Sequence, residues 1–255
     1  MNIILKEGDT IDYYYQDIYI NYEIKGEGPP IIFLHGWGQT KETFNNISNS
    51  LLNHKCYLLD LIGFGNSTEP YTPYDLTDYV LFLNKFITDH NIINPIIIGH
   101  SFGGRIAIKY ASINNNLKSL ILINSAGIRR KSLKRSLLTL KYKIKKKYYK
   151  LTKNTIKYNK LINTSGSKDY QSSSIIMKQT LSKIVKEDLS KYLKQIKKNT
   201  LIIWGTSDTV TPYKDGIKMN KLIPNSILIS YNTDHFSYIN KEKEIINDIK
   251  QFIGD

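Results

Sequence analysis

The sequence predicts an α/β protein built on a mostly parallel sheet with helices on both faces. Two observations carry this expectation. Short, near-continuous apolar runs recur at residues 31–34, 56–59, 96–98, 120–123, 201–204 and 227–229, which is the texture of strands buried on both faces of a parallel sheet. Helical stretches lie between them, roughly at 74–91, 102–113, 215–222 and 241–252. Alternation of β and α with this spacing is that of a doubly wound sheet. Residues 13–15 and 19–24 suggest instead an antiparallel hairpin at the N-terminal edge.

Residues 129–198 break the rhythm. They hold no convincing strand, and Leu133, Leu137, Leu140, Ile144, Tyr148 and Leu151 recur at spacings of three and four, so an insertion of helices between two sheet strands is expected. The predicted organisation is a core domain of residues 1–128 and 199–255 with a helical insertion over 129–198. That insertion carries 22 Lys/Arg against Asp169, Glu187 and Asp188, a net charge of +19, whereas the whole chain is +14 and the remainder therefore −5. Of the 36 basic residues only Arg105, Arg129, Arg130 and Arg135 are arginine. The basic character belongs to one segment.

With 255 residues, 41% hydrophobic and 23% charged, the chain suits a globular domain with a sizeable core. No apolar run approaches the ~18 residues of a membrane span, and residues 1–12 already carry Glu7, Asp9 and Asp12 and lack the apolar stretch of a secretory signal. Cys56 is the single cysteine, which excludes an intrachain disulfide and fits a reducing, cytoplasmic setting. It reads as a small buried residue in a strand.

Gly99-His100-Ser101-Phe102-Gly103 fits G-x-S-x-G with a strand before it and a helix after it. A turn this sharp lifts the serine hydroxyl above the sheet and aims the free N–H groups of the helix N-terminus at the same place. The glycines remove Cβ atoms that would collide. A serine hydroxyl needs a base, and the base needs an orienting acid. In the order Ser, acid, His, only His235 of the five histidines follows a plausible acid, just beyond the run at 227–229. His35 and His100 flank turns and precede the acid, and His54 and His90 fall in earlier loops or helices. Asp208 lies a few residues past the run at 201–204 and is the expected acid. Asp234 adjoins His235, a position from which a carboxylate is not expected to reach the imidazole Nδ1, and Asp215 is expected to start a helix.

An acyl-transfer site also needs donors for a developing oxyanion. The backbone N–H of Phe102 follows the serine, and the N–H of Trp37, in His35-Gly36-Trp37-Gly38 after the run at 31–34, is the second candidate. No cluster of ligand spacing accompanies His35, so no metal is expected. Asp60, in Asp60-Leu61-Ile62-Gly63-Phe64-Gly65-Asn66-Ser67, reads as structural, and Gly63 and Gly65 lack the third glycine and following helix of a dinucleotide loop.

Together these motifs, with Trp204-Gly205 to Asp208 and Asp234-His235-Phe236, resemble the α/β-hydrolase superfamily over nearly the whole chain, in the branch with a helical cap inserted after the sixth strand. The resemblance implies a mainly parallel eight-stranded sheet, a serine–aspartate–histidine triad of Ser101, Asp208 and His235, and neither cofactor nor metal. Members with aspartate as nucleophile are dehalogenases or epoxide hydrolases, and Ser101 argues against both. The implied activity is hydrolysis of a small ester-type substrate through an acyl-enzyme, as in carboxylesterases. The alternatives are a C–C bond hydrolase of ring-fission products, against which Phe236 stands where tryptophan is common, and a slow-turnover ligand sensor. For the basic segment the expectation is a cap helix laid apolar side down over the site with its lysines solvated. Contact with an anionic membrane surface is a second reading. No nucleic-acid module is recognisable and no such partner is expected. A positive cap would also suit a modestly anionic small-molecule substrate.

Overall fold

A computed structural model describes residues 12–129, 133–163, 171 and 173–255. The six strands expected from the apolar runs all form, each one to three residues longer than its run: β4 Pro30–Leu34, β5 Lys55–Leu59, β6 Ile96–His100, β7 Ser119–Ile123, β8 Thr200–Gly205 and β9 Ser226–Tyr231. With β3, Tyr22–Lys25, they make a seven-stranded sheet in the order β3-β5-β4-β6-β7-β8-β9. Every pair is parallel except β3 with β5.

Alternation along each strand explains the near-continuous apolar runs. Ile32, Leu34, Tyr57, Leu59, Ile97, Leu122 and Trp204 join the core on one face, and Ile31, Phe33, Cys56, Leu58, Ile98, Ile121 and Ile203 join the core on the other. Fully burying each large apolar side chain contributes about 1.5–3 kcal/mol, so the sheet is fixed from both sides. Helices α2 (Leu76–Asp89) and α3 (Phe102–Ile113) bury Tyr79, Phe82, Phe86, Ile106 and Tyr110 in the first core. Short α1 (Asn45–Asn49) and the C-terminal helix Glu242–Ile253 supply Ile47, Ile245 and Ile249 to the second. Cys56 is fully buried in β5, its thiol 3.7 Å from the Leu51 carbonyl, and burial pushes its pKa up to about 12.

The count of eight sheet strands is corrected. β1 (Tyr13–Tyr15) and β2 (Ile18–Ile20) pair only with each other, through a two-residue turn in which Gln16 and Asp17 both have positive φ. The ribbon packs on α2, with Tyr13 5.3 Å from Phe86 and Tyr15 5.4 Å from Phe82. Asn21 ends it: its N–H donates to Ser67 Oγ and its side chain to Asp60 Oδ2.

Between β7 and β8 the described residues form helices only: α4 Leu133–Leu151, α5 Thr155–Asn163, α6 Ile175–Ile184 and α7 Ser190–Leu193. The segment is tied down at both ends. The Arg129 N–H donates to Asp188, the Leu189 N–H to the Gly127 carbonyl, and Arg105 Nη2 of α3 reaches the carbonyls of Ile184 (2.7 Å) and Glu187 (2.6 Å). Lys109 adds an ion pair with Glu187 at 2.9 Å. The expectation that the apolar stripe of α4 lies face down is corrected where it can be read: Leu140, Ile144, Tyr148 and Leu151 are exposed. The side chains of Leu133 and Leu137 and most of the polar stretch 163–174 fall outside the described residues. Among the described residues no helix is long and apolar enough to cross a membrane.

Candidate active site

The chain runs from β4 outward to β5 and then returns to β6 on the other side of β4. Strand order therefore reverses between β4 and β6, and a crevice opens at the carboxyl ends of these two strands. Leu34 pairs with Gly99, so the loops that leave β4 and β6 start side by side. Trp37 sits on the first and Ser101 on the second. β8 and β9 deliver Asp208 and His235 to the same edge.

Ser101 has φ 48° and ψ −107° and precedes α3. This left-handed conformation is strained for a residue with a Cβ, and close packing enforces it. A Cβ on Gly103 would lie 1.9 Å from the Leu34 carbonyl oxygen, so α3 can start this near β4 only with glycine there. The Gly103 N–H donates to the His35 carbonyl at 3.0 Å.

Ser101, His235 and Asp208 are brought into one hydrogen-bonded chain. Ser101 Oγ lies 3.0 Å from His235 Nε2, and His235 Nδ1 lies 2.7 Å from Asp208 Oδ2. Asp208 and His235 are both buried. The N–H groups of Val210 (2.7 Å) and Thr211 (2.8 Å) donate to Asp208 Oδ1, while Asn124 Nδ2 (2.8 Å) and Thr211 Oγ1 (2.7 Å) donate to Oδ2. Burial alone would raise the Asp208 pKa, but His235, Thr211 and Asn124 outweigh it and hold the carboxyl at about 2. An ionised Asp208 fixes a proton on His235 Nδ1 and leaves Nε2 free to accept one from Ser101.

Asp234 is turned away, its Oδ1 accepting from the Phe236 N–H and from Asn240 Nδ2. Asp60 holds loops together: Asn21, the Lys41 N–H and the Asn66 N–H all donate to it. His35 is fully buried with Nδ1 on the Gly36 carbonyl and Nε2 accepting from the Leu61 N–H, and burial lowers its pKa to about 4. His100 donates from Nε2 to the carbonyl of His235 at 3.0 Å. Burial, with the adjacent His235 ring, lowers its pKa to about 3, so it supports the His235 backbone as a neutral ring.

The Phe102 N–H opens α3 and has no carbonyl one turn back in the helix. Trp37 packs its ring edge-on to Phe64 at 4.8 Å and to Phe102 at 5.4 Å, which sets its loop beside the start of α3. Its buried indole N–H has no acceptor among the described residues. A shallow cleft of about 240 Å³ opens beside this cluster, between Gly38, Gly63, Phe64 and Glu69 on the sheet side and Ser174 and Met177 at the start of α6. No group of three or more His, Cys, Asp or Glu side chains among the described residues is arranged to hold a metal ion.

Sequence reasoning missed Asn124 and Thr211. Asn124, at the end of β7 with φ 44°, also accepts from Ser237 Oγ and bonds the Asp234 carbonyl at 3.3 Å. Thr211 Oγ1 lies 3.0 Å from the Asn124 carbonyl and 3.2 Å from His235 Nδ1. The only local signal was a polar residue ending an otherwise apolar strand.

Known proteins share this architecture. The chain is 26% identical to Lipase 3 of Moraxella sp. (strain TA144) over 98% of its own length and 83% of the relative's. It is similar in structure to an esterase from Exiguobacterium antarcticum, with TM-score 0.74 and 23% identity over 93% of this chain and 96% of the other. A meta-cleavage product hydrolase from Pseudomonas fluorescens IP01 superposes with TM-score 0.71 and 20% identity over 93% and 95%. The model of the alpha/beta hydrolase fold family matches residues 29–165, more than half of the chain, and with the sheet order and the strained turn at Ser101 it follows that the chain belongs to that family.

Proposed function

We propose that this hydrolase cleaves a small carboxylic ester through an acyl-enzyme on Ser101. The observation that carries the reading is the chain of contacts from Ser101 Oγ through His235 to the buried, ionised Asp208. Lipase relatives support the ester class. Ser101 Oγ attacks the carbonyl carbon as its proton passes to His235 Nε2, and Asp208 stabilises the imidazolium. The Phe102 and Trp37 N–H groups donate to the tetrahedral oxyanion. The intermediate collapses, His235 returns the proton to the departing alkoxide, and the acyl group stays on Ser101. A water deprotonated by His235 then attacks the acyl carbon, and its proton returns to Ser101 as the acid leaves.

In this reading residues 1–128 and 199–255 are the catalytic core and 129–198 a cap. Met177 supports the cap role: a Cβ on Gly63 would meet its sulfur at 2.5 Å, so α6 rests on the loop beside the cleft. Glu69 in the cleft wall favours a neutral acyl chain over an anionic one. A fluorophosphonate probe should label the wild type and leave Ser101→Ala unlabelled, and labelling that persists would remove Ser101 from the role. Steady turnover of short aryl esters, lost in His235→Ala, separates an esterase from a ligand sensor. A series over acyl length, a thioester and a C–C substrate assigns the bond.

A further inference from the structure

The exposed face of α4 has the pattern of a membrane-surface helix. At about 100° per residue, Leu140, Ile144, Tyr148 and Leu151 fall within an arc of roughly 80° centred near Ile144. All four are exposed, at 54%, 59%, 61% and 73%. Lys141 and Lys147 lie roughly 60° to either side of Ile144 and Lys143 and Lys145 roughly 100°. The opposite side, with Tyr142, Lys146 and Tyr149, is the half-buried one. The helix thus turns two tyrosines and a lysine toward the protein and its aliphatic stripe toward solvent. Hydrophobic burial within the chain would favour the reverse.

Charge identifies the occupant. Residues 129–168 contain 15 Lys/Arg and no Asp or Glu, and among the described residues no carboxylate pairs with Lys141, Lys143, Lys145 or Lys147. A second copy of the chain would meet this face with the same charge. An aliphatic ridge between lysine shoulders matches a bilayer carrying anionic headgroups, where the ridge enters the acyl boundary and each lysine near the surface adds about 1 kcal/mol. Nucleic acid fits less well, because the centre of the face is aliphatic and Tyr142 and Tyr149 are on the half-buried side. We propose that α4 docks the protein on anionic lipid surfaces, with Leu140, Ile144 and Leu151 inserted and Lys141 and Lys147 at the headgroups.

The test is co-sedimentation of the full chain with vesicles of phosphatidylcholine alone or mixed equally with phosphatidylglycerol. Binding to the mixed vesicles should be at least about tenfold tighter than to neutral ones and should weaken about tenfold when salt rises from 0.1 to 0.5 M. Leu140→Ser with Ile144→Ser, and separately Lys141→Glu with Lys147→Glu, should each lower it about tenfold or more. These solvent-facing changes leave the circular dichroism spectrum unaltered, which keeps misfolding out of the result. Absence of retention on the mixed vesicles, equal retention on neutral ones, or retention unchanged in the serine pair would overturn the proposal. Tighter binding to an oligonucleotide than to the mixed vesicles would overturn it in favour of nucleic acid.

Discussion

Replacing Asp208 by asparagine tests the proposed chemistry most sharply, because five donors converge on that carboxylate. An asparagine can keep its oxygen toward the Val210 and Thr211 amides. Its NH₂ then faces Asn124 Nδ2, Thr211 Oγ1 and His235 Nδ1. Thr211 can rotate its hydroxyl to accept, but the Asn124 amide cannot, and two opposed donors in a buried site cost about 1–3 kcal/mol. His235 must accept at Nδ1, which moves its proton to Nε2 and leaves nothing to receive the proton of Ser101. The corresponding change in a serine triad lowers kcat about 10⁴-fold, close to 5 kcal/mol of activation free energy. Stopped-flow and steady-state hydrolysis of an aryl ester measure the rate, and thermal unfolding should fall by about 2–10 °C. The same variant carries a pH signature. The Asp208 pKa is depressed from 3.8 to about 2 in the folded protein, so its stabilising contribution is complete above about 4 and is lost as pH falls toward 2. That contribution, about 2 kcal/mol, should be missing from the urea-unfolding profile of Asp208→Asn. A kcat within tenfold of the wild type, or an acid-stability profile identical to it, would refute the assignment.

Two further outcomes follow from backbone and packing. Ser101→Gly should abolish activity yet stabilise the fold by about 1 kcal/mol, because relief of strain worth roughly 1–3 kcal/mol exceeds the roughly 0.5–1 kcal/mol entropic cost of glycine; a lower melting temperature would contradict it. Arg105→Met keeps the buried stem but removes two charge-assisted hydrogen bonds, to the Ile184 carbonyl at the end of α6 and to the Glu187 carbonyl, so a loss of about 3 kcal/mol and faster proteolysis within residues 129–198 are expected, and unchanged digestion would show that the segment is held by other contacts.

Much of the fold was legible because the inner strands β4 to β8 are buried on both faces and therefore write themselves as runs of Ile, Leu and Val-like residues. The positions that meet at the crevice were legible for a related reason. In a parallel sheet every strand ends on the same side, so the residues just past β4, β6, β8 and β9 converge whatever their separation in sequence. Asn124 was not legible, because its value comes from neighbours 84 and 110 residues away that only the strand order places beside it. The N-terminal hairpin was legible, but its separation from the sheet was not, because 19–24 reads as one run and only the bonds of Asn21 to Ser67 and Asp60 divide it into β2 and β3. Periodicity also showed that α4 is amphipathic without telling which face the protein covers. Leu140 and Ile144 carry the same signal inside or out.

Cys56 gives the molecule an internal clock for its own opening. The thiol is alone in the chain, sealed in the core on one face of β5, one strand in from the β3 edge, and held protonated far above neutral pH. The side chain leaves the sheet on the face covered by Ile47 and Leu51, so a reagent enters only when that cover lifts from β5. Alkylation of this one sulfur therefore counts the openings that bare this face of β5, and it does so without any engineered probe.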